Sequence, residues 1–251
     1  MALRIDRTRC IACGLCINTC PNNVLAINND IVEIRFNQSC MECLHCAAVC
    51  PQKAIAEEGV DLYSPAPEDW LETLIVTRRA VREFKPDPPE KEVIEHALRV
   101  AAWAPAGKNR KSNGWIVLHG KDQVETLLGI IQDWASVTPE FEVLKKTPGK
   151  RDLITCNATC ALIGYNLTDA VNAETDTVIA TTTAELLLTH QGIGTCWGGY
   201  LRWALGACDA ARNLLKVPVG HSIYTVLLAG IPIEKNYINI PYRKEPDIGW
   251  C

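Results

Sequence analysis

Cys10, Cys13, Cys16 and Cys20 are followed by Pro21, and Cys40, Cys43, Cys46 and Cys50 by Pro51, so that every cysteine of the first run recurs 30 residues on. The repeated run C-x2-C-x2-C-x3-C-P is a bacterial iron–sulfur spacing, in which three thiolates ligate one cluster and the fourth ligates the other. Thiolates are soft, strongly donating ligands that suit such clusters, and the x2 spacing lets one tight loop wrap three corners of a cubane. By that crossing rule Cys10, Cys13, Cys16 and Cys50 hold one [4Fe-4S] cluster, and Cys40, Cys43, Cys46 and Cys20 hold the other. The alternative is a pair of zinc sites. Those usually read as two separated C-x2-C pairs per metal, which three cysteines within seven residues and a trailing C-P fit poorly. The expectation is a chain that carries electrons.

This first segment resembles two-cluster bacterial ferredoxins over residues 1–57. In a chain of 251 residues, most of the length must belong to something else. From Glu57 to Glu68 periodicity is lost while Gly, Ser and Pro gather, so the junction is placed there, giving a ferredoxin-like domain 1–60 and a second domain 61–251. Met1–Asp6 has no apolar signal core, and stretches such as Ile223–Ile233 fall short of a membrane span, so the expectation is a soluble, cytoplasmic protein without a membrane partner. Cysteine-rich clusters suit a reducing interior and an anaerobic host, with Cys156, Cys160, Cys196, Cys208 and Cys251 read as packing residues. A net charge of −4 gives no basic stripe for nucleic acid.

Short strands are expected at Leu3–Ile5, Val24–Ile27, Ile31–Ile34 and Ala54–Ala56, each cysteine loop ending in a short helix before its proline. Beyond the junction, Asp69–Arg79, Pro89–Trp103, Gln123–Trp134, Asp176–His190 and Asp209–Leu215 read as helices. Trp115–His119, Cys160–Tyr165 and Ile223–Ile231 read as strands, giving a mixed α+β class.

Three segments of the second domain carry chemistry. Arg78, Arg79 and Arg82 stand where a helix gives way to an extended, Pro-rich stretch; they can clamp a phosphate bidentately, although a solvated basic helix end is equally compatible. Trp103–Asn109 is a small-residue loop where backbone can approach a flat ligand. Gly192–Gly199 is a glycine-dense turn after the long helix, suited to presenting N–H groups to a cofactor; it lacks the G-x-x-x-x-G-K-[ST] of a phosphate loop.

In this order, R-R-A-V-R-E-F, A-P-A-G-K-N, D-x-x-I-A at 176–180, G-I-G-T-C-W-G-G, and H-S-I-Y-T-V-L-L-A-G-I-P followed by P-Y-R-K-E-P resemble the FMN-dependent nitroreductase family, in its branch with an N-terminal ferredoxin-like extension. The resemblance covers Leu71 to Arg243. It implies a nitroreductase-like α+β sandwich and an intertwined homodimer. It also implies that Arg78 holds the FMN phosphate, Arg82 the pyrimidine edge, and that Arg79 contributes at least backbone. Arg243 is implied as a second phosphate ligand, and Pro105, Ala106, Gly107 and Asn109 as reaching the flavin from the partner subunit. Gly198 and Gly199, with Cys196 nearby, are implied as backbone donors close to N5, where they stabilise charge on the reduced ring.

The chain departs from the family's usual A-P-S-G-K-N-x-Q-P-W by reading A-P-A-G-K-N-R-K-S-N-G-W, which loses a serine hydroxyl and adds two residues. Ala80 likewise replaces a serine often found beside the arginines. The segment Trp134–Asp152 is a candidate lid over the flavin, or a variable surface connection.

The resulting expectation is an FMN-dependent oxidoreductase. Electrons run from a low-potential donor, a ferredoxin or an NAD(P)H-linked reductase, through two clusters to FMN and on to a small organic acceptor such as a nitroaromatic, quinone or activated alkene. The alternatives are a non-catalytic electron carrier or redox sensor, and reductive dehalogenation or flavin breakdown on the same scaffold. His45, His96, His119, His190 and His221 lie in no recognisable motif and are read as structural, while Tyr200 and Lys108 are candidate proton donors.

Overall fold

The computed structural model describes residues 3–146, 152–233 and 237–251. By contacts the chain divides into two compact units, Met1–Arg79 with Glu234–Cys251, and Ala80–Ile233. This division differs from a line at 60/61, since the first unit runs on to Arg79 and takes back the C-terminal segment.

The first unit begins with β1 (Arg4–Ile5), α1 (Leu15–Thr19), β2 (Leu25–Asn28), β3 (Ile31–Ile34), α2 (His45–Val49) and β4 (Ile55–Ala56), followed by β5 (Tyr63–Ser64) and α3 (Trp70–Thr77). β1 pairs with β4, Ile5 opposite Ile55, and β2 with β3, Leu25 opposite Ile34, both antiparallel. The sequence repeat becomes a structural one. α1 and α2 each stop at a cysteine with extended backbone, Cys20 and Cys50, because the residue before a proline is driven out of the helical region. Four residues later the Val24 amide donates to Cys20 Sγ at 3.3 Å, and the Ala54 amide to Cys50 Sγ at 3.2 Å. Leu25, Val32, Leu44, Ala47, Ile55 and Leu62 form the small core beneath. α3 starts on Asp69, whose carboxylate accepts from the Leu71 and Glu72 amides at 2.9 Å.

The second unit contains α4 (Lys91–Ala101), β6 (Gly114–His119), α5 (Lys121–Ser136), β7 (Cys160–Leu167), α6 (Ala173–His190), β8 (Gly194–Trp197), α7 (Gly199–Ala207), α8 (Asp209–Leu215) and β9 (His221–Gly230). The four strands form one antiparallel sheet in the order β6-β7-β9-β8. Strand alternation sorts its side chains onto two faces. Ala161, Ile163, Val226 and Leu228 meet Leu127, Ile131, Leu201 and Ala211 from α5, α7 and α8. Cys160, Leu162, Leu227 and Ala229 meet Ile94, Ala97 and Leu188 from α4 and α6. With both faces covered, β7 and β9 read as continuous apolar runs rather than alternating ones.

The expected helices and strands all occur, with ends moved by a few residues. The helix α7 was not expected, and neither was β8: residues 194–197, read as part of a turn, are an edge strand. Its glycine reflects close packing, because a Cβ on Gly194 would come within 2.8 Å of Val81 Cγ1, where the incoming chain bridges Ala80 to Thr195.

Finally, β10 (Ile240–Pro241) returns to the first unit and pairs antiparallel with β5, Pro241 opposite Tyr63. Among the described residues no helix is long and apolar enough to cross a membrane.

Candidate functional site

In the first unit the eight repeat cysteines line two cavities. Cys10, Cys13, Cys16 and Cys50 surround one, walled by Ile5, Val32 and Ile55. Cys20, Cys40, Cys43 and Cys46 surround another, walled by Val24, Leu25, Leu44 and His45. Burial first, and then the neighbouring thiolates of Cys50, Cys13 and Cys10, push the Cys16 thiol up to about 11. Burial and Cys43, and then Cys16 and Cys20, push Cys46 up to about 12. The charge of Cys16, from the first set, thus acts on Cys46 of the second. Such thiols resist ionising alone and need a cationic group to hold them as thiolates. Among the described residues no three His, Cys, Asp or Glu side chains converge as ligands of a single ion. Four thiols spread around a cavity suit a polynuclear cluster better than one tetrahedral ion.

The same unit holds Arg78, Arg79 and Arg243. Arg79 is 7% exposed, and its Nη1 caps α3 by donating to the carbonyls of Val76 and Arg78 at 2.6 Å. Its Nε is buried with no hydrogen-bond partner among the described residues. Burial and then the Arg243 and Arg78 charges pull the Arg79 guanidinium down to about 10. A cation cluster with an orphaned buried donor is a fitting receptor for a phosphate.

In the second unit the Asp176 carboxylate on α6 accepts the Gly107 amide with both oxygens, at 2.9 and 3.0 Å. A Cβ at Gly107 would approach Asn172 Nδ2 to 2.9 Å, so a larger residue there would need the Asn172 side chain to shift. Lys108, Asn109 and Lys111 have positive φ, which explains the tight course of the loop from Pro105 onward. The Ser112 hydroxyl, in the lengthened part of the loop, donates inward to buried Asn166 Oδ1 at 2.7 Å, and so does not stand in for the missing serine.

Cys196 lies on β8 with its side chain turned into the core beside Cys156, whose thiol is pushed up by a hydrogen bond with Cys196 and by burial. The Gly198 amide donates to the Val226 carbonyl at 2.9 Å and is thereby taken up in the fold. Gly199 opens α7, whose first-turn amides lack intrahelical partners. Arg82 Nη1 reaches the Ala80 carbonyl at 3.4 Å, and its charge acts on Cys156. Of the candidate lid, Pro139–Leu144 forms a 3-10 helix whose Phe141 ring stacks on Trp203 at a centroid distance of 4.2 Å and meets Trp134 tilted at 4.4 Å. Residues 147–151 lie outside the described residues.

Several residues of evident structural weight were not singled out from the sequence. Glu185, 3% exposed, accepts from Trp197 Nε1 at 2.9 Å and from Thr195 Oγ1 at 3.3 Å. Asn166 donates to the Ala173 carbonyl, and Thr181 pairs with Thr225 at 2.8 Å. The available signal is the polar series Thr177, Thr181, Glu185 at four-residue steps along a helix that is otherwise apolar on the same side.

Residues 75–231 match the family described as the Nitroreductase family, and residues 2–51 match the 4Fe-4S dicluster domain. A ferredoxin of Pyrobaculum islandicum is 36% identical over 53 residues, 21% of this chain and 50% of its own length, so the chain spans about half of that relative. Among solved structures, a nitroreductase with bound FMN from Bacteroides fragilis superposes with a TM-score of 0.59 at 19% identity, covering 72% of this chain and 95% of that one. An FMN-dependent nitroreductase from Clostridium difficile gives 0.61 at 20% identity, covering 74% and 100%. At these identities the superpositions speak for the fold, while the family match spans more than half of the sequence: the chain belongs to the nitroreductase family and carries a 4Fe-4S dicluster ferredoxin domain at its N-terminal end.

Proposed function

We propose that the protein is an iron–sulfur flavoprotein oxidoreductase that takes single electrons from a low-potential donor through two [4Fe-4S] clusters to FMN and reduces a small organic acceptor. The observation that carries this is the division of the eight repeat cysteines into two cavities of four, in a chain whose other unit has the nitroreductase fold. The crossed ligand sets are supported by that division, since Cys50 lines the cavity of the first run and Cys20 that of the second.

Bound FMN supplies the ability to pool two electrons and pass them on as hydride, which clusters lack. Arg78, Arg79 and Arg243 hold its phosphate, the orphaned Nε of Arg79 gaining an acceptor. Arg82 meets the pyrimidine edge. Asp176 fixes the loop of Pro105, Ala106, Gly107 and Asn109, which reaches the flavin of the partner subunit in a homodimer. Gly199, rather than Gly198, supplies the free backbone donor near N5, with Cys196 behind it as a packing residue.

Anaerobic purification with iron, sulfide and released flavin measured per chain tests the reading. The expected result is about eight irons per chain by the two-cluster motif, with bound FMN whose absorbance bleaches after the clusters are reduced. Reoxidation is then followed with nitroaromatic, quinone, activated-alkene and haloaromatic acceptors. Eight irons without flavin would leave a ferredoxin joined to a binding domain, and reversible reduction without turnover of any small acceptor would make the protein an electron carrier.

A further inference from the structure

The C-terminal segment of the first unit is fastened to the helix and loop of the second cysteine run. The Asn239 amide donates to the Ala48 carbonyl at 3.0 Å, and its side chain donates to the carbonyls of Ala47 at 3.0 Å and Cys50 at 2.8 Å. The Tyr237 ring meets His45, in the wall of the second cavity, edge-on at 5.8 Å. β10 then pairs with β5, and the Tyr242 amide donates to the Leu62 carbonyl at 2.9 Å. Held in this way, Arg243 donates from Nη1 to the carbonyl of Cys43 at 3.2 Å. The same guanidinium is one of the charges acting on Arg79.

Arg243 thus belongs at once to the cation cluster and to the loop of the second cavity. The first cavity instead reaches the surface at Cys13, the one exposed cysteine of the eight. From this asymmetry we infer that the cluster held by Cys20, Cys40, Cys43 and Cys46 is the one that delivers electrons to FMN, and that Arg243 couples that cluster electrostatically to the FMN phosphate. This rests on the function proposed above.

In each transfer the second cluster would lose one electron and the flavin would gain one. The first cluster would refill the second, and would itself be refilled by the external one-electron donor. Two transfers, with protons from solvent, complete reduction of the flavin. A positive charge close to a cluster favours its reduced, more negative state, so Arg243 raises the potential of the second cluster. A phosphate dianion on the arginines offsets that charge and lowers the potential again. The coupling is reciprocal, as any linkage between two binding equilibria must be.

The test is a potentiometric titration followed by electron paramagnetic resonance, on the anaerobically purified full-length protein. It is run without flavin, with FMN, and with riboflavin, which has no phosphate. Cys13→Ser and Cys43→Ser assign the two cluster signals, each ligand change altering one of them. FMN, and not riboflavin, should lower the midpoint of the signal altered by Cys43→Ser and leave the other in place. In the flavin-free protein Arg243→Gln should lower that same midpoint, and Arg243→Lys, which keeps the charge, should restore most of it. A shift of equal size at both clusters, at the Cys13 signal alone, or at neither while FMN absorbance shows the cofactor bound, overturns the inference. Failure to bind FMN at all is read separately by absorbance; it overturns the functional reading and this inference with it.

Discussion

The Asp176 carboxylate, on a helix, holds the backbone amide of Gly107, in a loop 69 residues earlier, with both of its oxygens. One buried charge thereby fixes the conformation of a loop that would otherwise pay the ordering entropy only when a ligand arrives. Asp176→Asn keeps the shape but leaves one acceptor oxygen and turns an amide donor toward the Gly107 N–H. A hydrogen bond to a charged group contributes about 1.5–3 kcal/mol, so FMN affinity should fall by about tenfold or more. Calorimetric titration of FMN into the flavin-free protein measures this, and unchanged affinity with unchanged far-UV circular dichroism would exclude a role for the clamp.

The crossed ligand sets can be separated by iron analysis. Cys20→Ala should damage the cluster of Cys40, Cys43 and Cys46, and Cys50→Ala that of Cys10, Cys13 and Cys16, because each removed thiol lines the cavity of the other run. The two variants should therefore lose different paramagnetic signals. Loss of the cluster of its own run in either variant contradicts the crossing.

Arg79 is held charged against burial and two neighbouring cations, and an anion relieves that cost. Addition of FMN should raise the melting temperature of the flavin-free protein, with a stabilisation of about 2.7 kcal/mol at a ligand concentration of 100 Kd. Arg79→Leu should raise the flavin-free melting temperature while removing most of the FMN-induced rise. A flavin-free variant less stable than wild type would show that the capping bonds to Val76 and Arg78 outweigh the repulsion.

Burial pushes the Cys160 thiol from 9.0 up to about 11. A group whose pKa is raised on folding contributes stability that is full below the unfolded value and is lost as pH climbs through the folded one, here between about 9 and 11. Chemical denaturation midpoints should accordingly decline across that window, and Cys160→Ala should flatten the decline. At pH 8 iodoacetamide should modify exposed Cys251 and spare Cys156 and Cys160, as mass spectrometry of the digested protein would report.

Glu185 takes hydrogen bonds from Trp197 and Thr195 in the interior. Removing a buried charged acceptor strands those donors, so Glu185→Ala should cost about 3 kcal/mol. The indole of Trp197 reports it directly through a changed fluorescence maximum, whereas a distant destabilisation would leave that spectrum alone.

What the sequence by itself determined is whatever local chemistry encodes. The cysteine spacing points to the proposed cluster ligands because a cubane demands thiols at short, fixed separations, and the prolines after Cys20 and Cys50 end their helices through a steric effect on one residue. Apolar periodicity marked α4, which buries one face, and continuous apolar runs marked β7 and β9, which are covered on both. The R-R-A-V-R, A-P-A-G-K-N and G-I-G-T-C-W-G-G segments carry the resemblance that the family match bears out. Only the tertiary structure decided where partners distant in sequence meet. Gly194–Trp197 becomes a strand because β9 and the chain at Ala80 and Val81 lie beside it, not because of propensity. Asp176 becomes a loop clamp only once α6 is packed. Asn239 and Arg243 reach Cys50 and Cys43 only because β10 closes on β5, and a pairing across nearly the whole chain leaves no periodic trace in either segment.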